Sequence, residues 1–497
     1  MTATAAAMSA STAATNTAAA VQPALKLVAG STEVALDRYP DGVYLDLGTH
    51  LVAGKSAIEV RATRKSYGDP IVANQLVGGK PKALPKGLVT DFSGLAKFLH
   101  VTITDATGKK VLDRDQSFCL NGEGARTRPD APATSPYPEG CGNNPFTLGA
   151  VWGLQAGWSA STFDYSQNSV TNLVAGKYTA KVSINKSYRD FFKIPAYESS
   201  VKLNLTVKDA VPCGVRGCVG VARKAAAGLS VAPKPNAKRP TGTASVPTGP
   251  KPNAKRPTGT ASVPTGPKPD LRPLPAWQIT VAPGDKGTPD ANRDFLSFAA
   301  NVWNAGPSPL VLDGFRQQGK DLMDAYQYFY NRKGKQVGYQ KTGTMEWDAR
   351  DGHNHWHFTD FARYSLLNSS QSEVVRSQKE AFCLAATDAI DYTKKNANWR
   401  PYNTDLHTAC GNHGALSVRE VLDVGSGDTY MQSLPGQSFD VTDLKNGTYY
   451  VQVIANPEKR LFESNVKNNV SLRKVILGGT LHHRTVKVPP VQLVDAP

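Results

Sequence analysis

A direct repeat constrains this chain more than any other feature. Pro233 to Gly249 recurs unchanged from Pro250 to Gly266, two copies of a 17-residue unit dominated by Pro, Lys, Thr and Gly. So few apolar side chains cannot bury a core, and the unit reads as an extended, disordered spacer. At 497 residues the chain also exceeds what one core usually organises. The expected organisation is a leader or disordered N-terminus over 1–24, an immunoglobulin-like β-sandwich over 25–210, a Pro/Lys-rich linker over 211–269, and a second sandwich-like domain over 270–497.

The fold class that follows is mainly β. Short alternating runs such as Val43 to Leu47, Ala57 to Arg61 and Leu99 to Ile103 recur between turn signals up to Lys208. Beyond the linker, Asp294 to Trp303, Tyr326 to Tyr330, Tyr364 to Leu367 and Tyr449 to Ala455 read as strands, and Gln371 to Ala381 as a short helix. Val170, Leu173, Gly176, Tyr178 and Val182 match Val441, Leu444, Gly447, Tyr449 and Val453 at a constant offset of 271, which suggests related sandwiches. No run of 18 apolar residues exists, so no membrane span is expected.

Charge and cysteines narrow the setting. Of the net charge of +16, more than half sits between Ala222 and Arg272, where ten Lys or Arg face one acid. That segment suits solvent or an anionic cell-wall polymer; without a basic helical face or an aromatic stacking motif, nucleic acid is not an expected partner. Six cysteines fall into the local pairs Cys119 with Cys141, Cys213 with Cys218 and Cys383 with Cys410, with no Cys-x-x-Cys spacing. An even count suits an oxidising compartment, so the expected location is secreted or cell-wall associated. Thr17 to Ala20 resembles a cleavage site, although the preceding residues lack a basic and apolar leader.

Chemistry concentrates at His353, His355 and His357, three of the chain's nine histidines at alternate positions. In an extended segment all three imidazoles share one face, the pattern of a metal site. Fully extended, the outer two would stand about 13 Å apart, so a shared ion requires a bend or bulge. Imidazole accepts zinc, copper, iron and nickel, and the histidines alone name no ion.

Further segments point to one family. His353-x-His355-x-His357 with Asp360-Phe361 and Tyr364-x-Leu366-Leu367 resembles the copper-binding segment of the lysyl oxidase family. Gln378 to Leu384 resembles the segment carrying that family's cofactor lysine, and Gly427 to Tyr430 with Gln437 and Asp440 to Thr442 the segment carrying its cofactor tyrosine. The likeness spans about Pro269 to Leu477. It implies copper on the three histidines and a self-derived lysine tyrosylquinone joining Lys379 to Tyr430. The implied reaction turns a primary amine, peptidyl lysine among the substrates, into an aldehyde, releasing ammonia and, with dioxygen as oxidant, hydrogen peroxide. Asp428 is a candidate base, and Asp-Thr is equally good turn chemistry.

The resemblance also implies calcium at Asp270, Leu271, Glu463, Asn465, Asn468 and Asn469, with Asn465 standing where an acid is usual. The N-terminal region resembles neither the propeptides nor the scavenger-receptor modules of the animal enzymes, which points to a bacterial relative. Two other readings stay open: a wall-associated structural protein whose metal site has lost catalysis, and a three-histidine zinc hydrolase, which lacks a Glu base motif and leaves Lys379 and Tyr430 unexplained.

Overall fold

The computed structural model describes residues 25–142, 144–163, 170–210, 261–331, 334–349, 354–377, 379, 381–400 and 406–497. His353, the Cys213 and Cys218 pair, and the repeat up to residue 260 lie outside them. The chain is mainly β, and the one α-helix among the described residues is Lys186–Phe192. No described helix is long and apolar enough to cross a membrane.

Two main cores form. One is built from residues between Leu25 and Val207, enclosed by a seven-stranded and two four-stranded sheets. The other is built from residues between Leu271 and Leu477, enclosed by two six-stranded sheets and one five-stranded sheet. Alternation explains the packing: strand Ile58–Thr63 buries Ile58, Val60 and Ala62 and turns the intervening side chains outward. Cys119 and Cys141 are bonded, as are Cys383 and Cys410.

The repeated pattern at offset 271 has a structural counterpart. Tyr178 opens into strand Gly176–Ile184 and its hydroxyl donates to the Val174 carbonyl at 2.8 Å; Tyr449, in strand Gly447–Ala455, donates to the Lys445 carbonyl at 2.7 Å. Each is a tyrosine corner at the entry to a strand with antiparallel partners on both sides.

One expectation is corrected. The helix over Gln371 to Ala381 is absent from the described residues there: Glu373–Arg376 is a strand on the edge of Ala362–Leu367. Its Val374 and Val375 favour extended backbone, and the neighbouring strand offers a hydrogen-bonding edge. Within the span expected for the linker, the Ser262 amide donates to the Tyr339 carbonyl at 3.0 Å and pairs with strand Gln336–Asp348.

The sheet that carries the histidines curls on itself. Its order runs from Ala381–Phe382 through His355–Thr359, Gln336–Asp348, Leu322–Tyr330 and Leu310–Arg316 to Ser417–Leu422. Its two ends then approach each other. Glu420 accepts the Leu384 amide at 3.1 Å and a backbone hydrogen bond from Phe358, and the Thr408 hydroxyl bridges the Leu384 and Val421 carbonyls at 2.5 and 3.2 Å. The Cys383 to Cys410 bond fastens the same seam.

Candidate active site

Strand His355–Thr359 buries Trp356 and Phe358 in the core and sends His355 and His357 to its other face. The Trp356 amide donates to the Cys410 carbonyl and its indole to the Asn412 carbonyl, both at 3.0 Å, which fixes the strand's rotation. The two imidazole centroids lie 4.7 Å apart, closer than the pleat spacing alone would leave them. Asp348 Oδ2 stands 3.3 Å from Nδ1 of the buried His357, within ion-pair distance. Among the described residues no group of three His, Cys, Asp or Glu side chains is gathered for a metal. The two imidazoles lie close together on one face of the strand, and nitrogen donors of this kind would suit a shared ion.

Register places the lysine segment beside the histidines. Phe358 pairs with Phe382 and Thr359 with Ala381, so Lys379, two residues earlier, comes to the end of the histidine strand. Lys379 is only 1% exposed. Its Nζ lies 4.4 Å from the centroid of the Tyr430 ring and 4.9 Å from that of Phe382, and the Phe382 and Tyr430 rings meet edge to face at 4.9 Å. Lys379 and Tyr430, 51 residues apart in sequence, are therefore brought together by the fold. Gly436, at φ +81°, makes this possible from the far side, since a Cβ there would stand 2.7 Å from the Lys379 Cβ. The Ser377 hydroxyl ties the two segments, donating to the Gly436 carbonyl at 2.5 Å and accepting the Lys379 amide at 3.1 Å.

Tyr430 ends strand Ser426–Tyr430, which pairs with Asp294–Asn304 in a different sheet from the histidines. Asp428 shares its face, two residues away. The Asp428-Thr429 turn is thus overturned: both residues are strand, and Asp428 is buried. Burial holds the Asp428 carboxyl well above the usual carboxylate range, with Lys379 pulling it back down. Burial likewise pushes the Tyr430 phenol well up, helped by the nearby Asp428 charge, while its hydroxyl donates to the Cys383 carbonyl at 3.2 Å. Tyr364, whose hydroxyl accepts from Gln437 Nε2 at 3.4 Å, is pushed up by burial and by Asp428.

Glu420 is the residue that sequence reasoning missed. It is 0% exposed, its carboxyl is held far above its ordinary value by burial and then by Asp428, and its Oε1 has no hydrogen-bond partner. The signal was present: in Ser417–Leu422 it shares strand parity with the buried Val418 and Leu422, a position where an apolar residue is expected.

The calcium residues gather at the start and end of the second unit. Glu463 accepts from the Leu271 amide at 2.8 Å, from Asn456 at 2.7 Å and from Asn469 at 2.8 Å; Asp270 accepts from Asn468 at 3.0 Å. The buried amide oxygens of Asn468 and Asn469 have no hydrogen-bond partner and are donors of the kind a hard cation takes, while the Asp270 carboxylate is also paired with Arg272 at 2.7 Å. Asn465 does not join: exposed, it accepts the Lys467 amide at 3.0 Å in a turn.

Comparison with known proteins supports the same region. The lysyl oxidase family model matches residues 315–485. Lysyl oxidase homolog 4 of Homo sapiens is 34% identical over 131 residues, 26% of this chain and 15% of the relative. Lysyl oxidase homolog 2 of Xenopus tropicalis is 31% identical over 131 residues, with the same shares, and lysyl oxidase homolog 3B of Danio rerio 31% over 130 residues, 26% of this chain and 14% of the relative. The chain thus spans about 15% of the length of the relatives it matches.

Proposed function

We propose that the chain, whose residues 315–485 match the lysyl oxidase family model, is a secreted copper-dependent amine oxidase that converts primary amines, peptidyl lysine among them, to aldehydes. The observation that carries this reading is the 4.4 Å approach of Lys379 Nζ to the Tyr430 ring inside a buried site. Such a pair fits a lysine tyrosylquinone: a phenol that can be oxidised, and an amine held against its face. His355 and His357, with His353, are the residues that would hold copper. When present, the metal and quinone supply oxidation of the phenol by dioxygen and an electrophilic carbonyl for the substrate amine.

The side chains supply the remainder. Asp428 faces both Lys379 and Tyr430, and its raised affinity for protons suits it to take one from the lysine ammonium and later from the carbon next to the substrate nitrogen. Phe382 packs edge-on against the Tyr430 ring and fixes its plane. Glu420 and the disulfide hold the lysine and histidine segments in one seam, and burial keeps water from competing at the ring. Calcium on Asp270, Glu463, Asn468 and Asn469 would clamp the first residues of the unit to its last strands. The basic linker is offered to an anionic wall polymer.

The test is peroxide release from a primary amine by copper-treated protein. Lys379→Arg and Tyr430→Phe are each expected to abolish it; undiminished turnover in both variants sinks the quinone assignment. Copper-loaded wild type with neither quinone absorbance nor reaction with phenylhydrazine would favour the inactive structural protein instead.

A further inference from the structure

Residues 388–392 run between the two units and are held by both. On one side the Leu148 and Gly149 amides donate to the Ile390 carbonyl at 2.7 and 3.1 Å, and the Tyr392 amide donates to the Gly149 carbonyl at 2.9 Å. On the other, the Ile390 and Asp391 amides donate to the Gly425 carbonyl at 2.9 Å each, while Asp388 and Ala389 pair with Gly427 and Ser426. A backbone ladder therefore leads from strand Gly149–Leu154 of the N-terminal unit to the strand that ends at Tyr430.

Side chains follow the same path. Asn144 Nδ2 donates to Asp388 Oδ2 at 2.9 Å, the Thr429 hydroxyl donates to the same oxygen, and Asn301 Nδ2 donates to Thr429 Oγ1 at 2.8 Å. Thr429 lies between Asp428 and Tyr430 in the strand. Asn144 is itself locked, because its Oδ1 accepts the Phe146 amide at 3.0 Å.

The surfaces were shaped for each other. Phe146 of the N-terminal unit is fully buried in a small core completed by Leu274, Trp277, Trp303 and Ile390 of the other. Gly149 approaches Asp391 so closely that a Cβ would come within 2.2 Å of its carboxylate oxygen. Arg400 reaches back to the Ser135 and Tyr137 carbonyls at 3.2 and 3.3 Å. A module joined only through the repeat segment would leave Phe146 in water and Asp388 without Asn144.

We propose that the N-terminal unit is a fixed part of the amine-oxidising structure rather than an independent binding module, and that Asn144 and Asp388 are positioning residues for the strand bearing Asp428 and Tyr430. The positioning role rests on the function proposed above; the docking does not.

Two measurements on the full chain test it. In the first, a protease site inserted between the two repeat copies is cut and the nicked protein is passed over a sizing column. The halves are expected to co-elute at physiological salt, and their separation overturns the docking. In the second, the phenylhydrazine-reactive quinone of Asp388→Ala is expected to fall about tenfold or more with copper content unchanged. Asp388→Asn, which keeps an acceptor oxygen for Asn144 and Thr429, restores it. Full quinone in Asp388→Ala overturns the positioning role. A wild type without quinone refutes the amine oxidase reading instead, and deuterium exchange at amides 426–430 then decides: faster exchange in Asp388→Ala, reversed in Asp388→Asn, supports positioning, and no change overturns it.

Discussion

Lys379 points its amine at the face of Tyr430 from 4.4 Å, in a space closed by Phe382 on one side and by the Gly436 backbone on the other. The two residues arrive from different sheets. The lysine follows the histidine strand through the pairing of Phe358 with Phe382, and the tyrosine follows the strand paired with Asp294–Asn304. Their meeting depends on the seam that Glu420, Thr408 and the Cys383 to Cys410 bond hold shut.

Gly436→Ala should damage both stability and the site. The new methyl would stand 2.7 Å from the Lys379 Cβ at a φ of +81°. The conformational cost alone is about 1 kcal/mol, and displacement of Lys379 adds to it. Denaturant titration and quinone content are both expected to drop; a variant matching wild type in both would show that the loop does not confine the lysine.

Asp428→Asn keeps the shape of the side chain and removes its basicity. Loss of a positioned base typically costs about 10²-fold or more in turnover, so kcat should fall at least that far at every pH. Because burial raises the Asp428 proton affinity, the acid limb of the wild-type profile should lie above the usual carboxylate range, with activity lost as pH falls through it. Near wild-type kcat in the variant would remove Asp428 from the chemistry.

Asp423 gives a stability prediction separate from catalysis. Burial raises its carboxyl from 3.8 to about 7, while Asn398 donates to it at 3.2 Å. Between those values the folded state holds a proton that the unfolded chain has released. This residue's contribution to stability therefore falls as pH rises across that window, by a few kcal/mol at most. Asp423→Asn, which keeps the acceptor, should raise the melting temperature above pH 7 and change it little near pH 4. A variant no more stable than wild type at pH 8 contradicts this.

Calcium should stabilise the protein through Asp270, Glu463, Asn468 and Asn469. At a hundredfold excess over its dissociation constant a ligand bound only by the folded state adds about 2.7 kcal/mol. The melting temperature should rise with calcium and fall with chelator, and Glu463→Gln should abolish the response. A calcium-insensitive wild type would mean that the unpartnered amide oxygens face no cation.

Much of this was legible before the structure. Alternation at His355 and His357 survives because a strand's period of two is a local property, and Tyr178 and Tyr449 preserve a corner whose hydrogen bond spans four residues. Asp428 misled for the same reason, since Asp-Thr is good local turn chemistry and only sheet pairing makes it strand. Strand parity marked Glu420 as an inward position, but the groups that tolerate its burial, the Leu384 and Phe358 amides, come from far along the chain. Asn144 and Asp388, 244 residues apart, carry no sequence signal of their pairing.

The most direct test is peptide-level mass measurement of copper-treated protein after digestion. A single cross-linked species joining the peptide of Lys379 to that of Tyr430, absent from Lys379→Arg and Tyr430→Phe, is the expected result. Recovery of both peptides unmodified, from protein shown to contain stoichiometric copper, would contradict it.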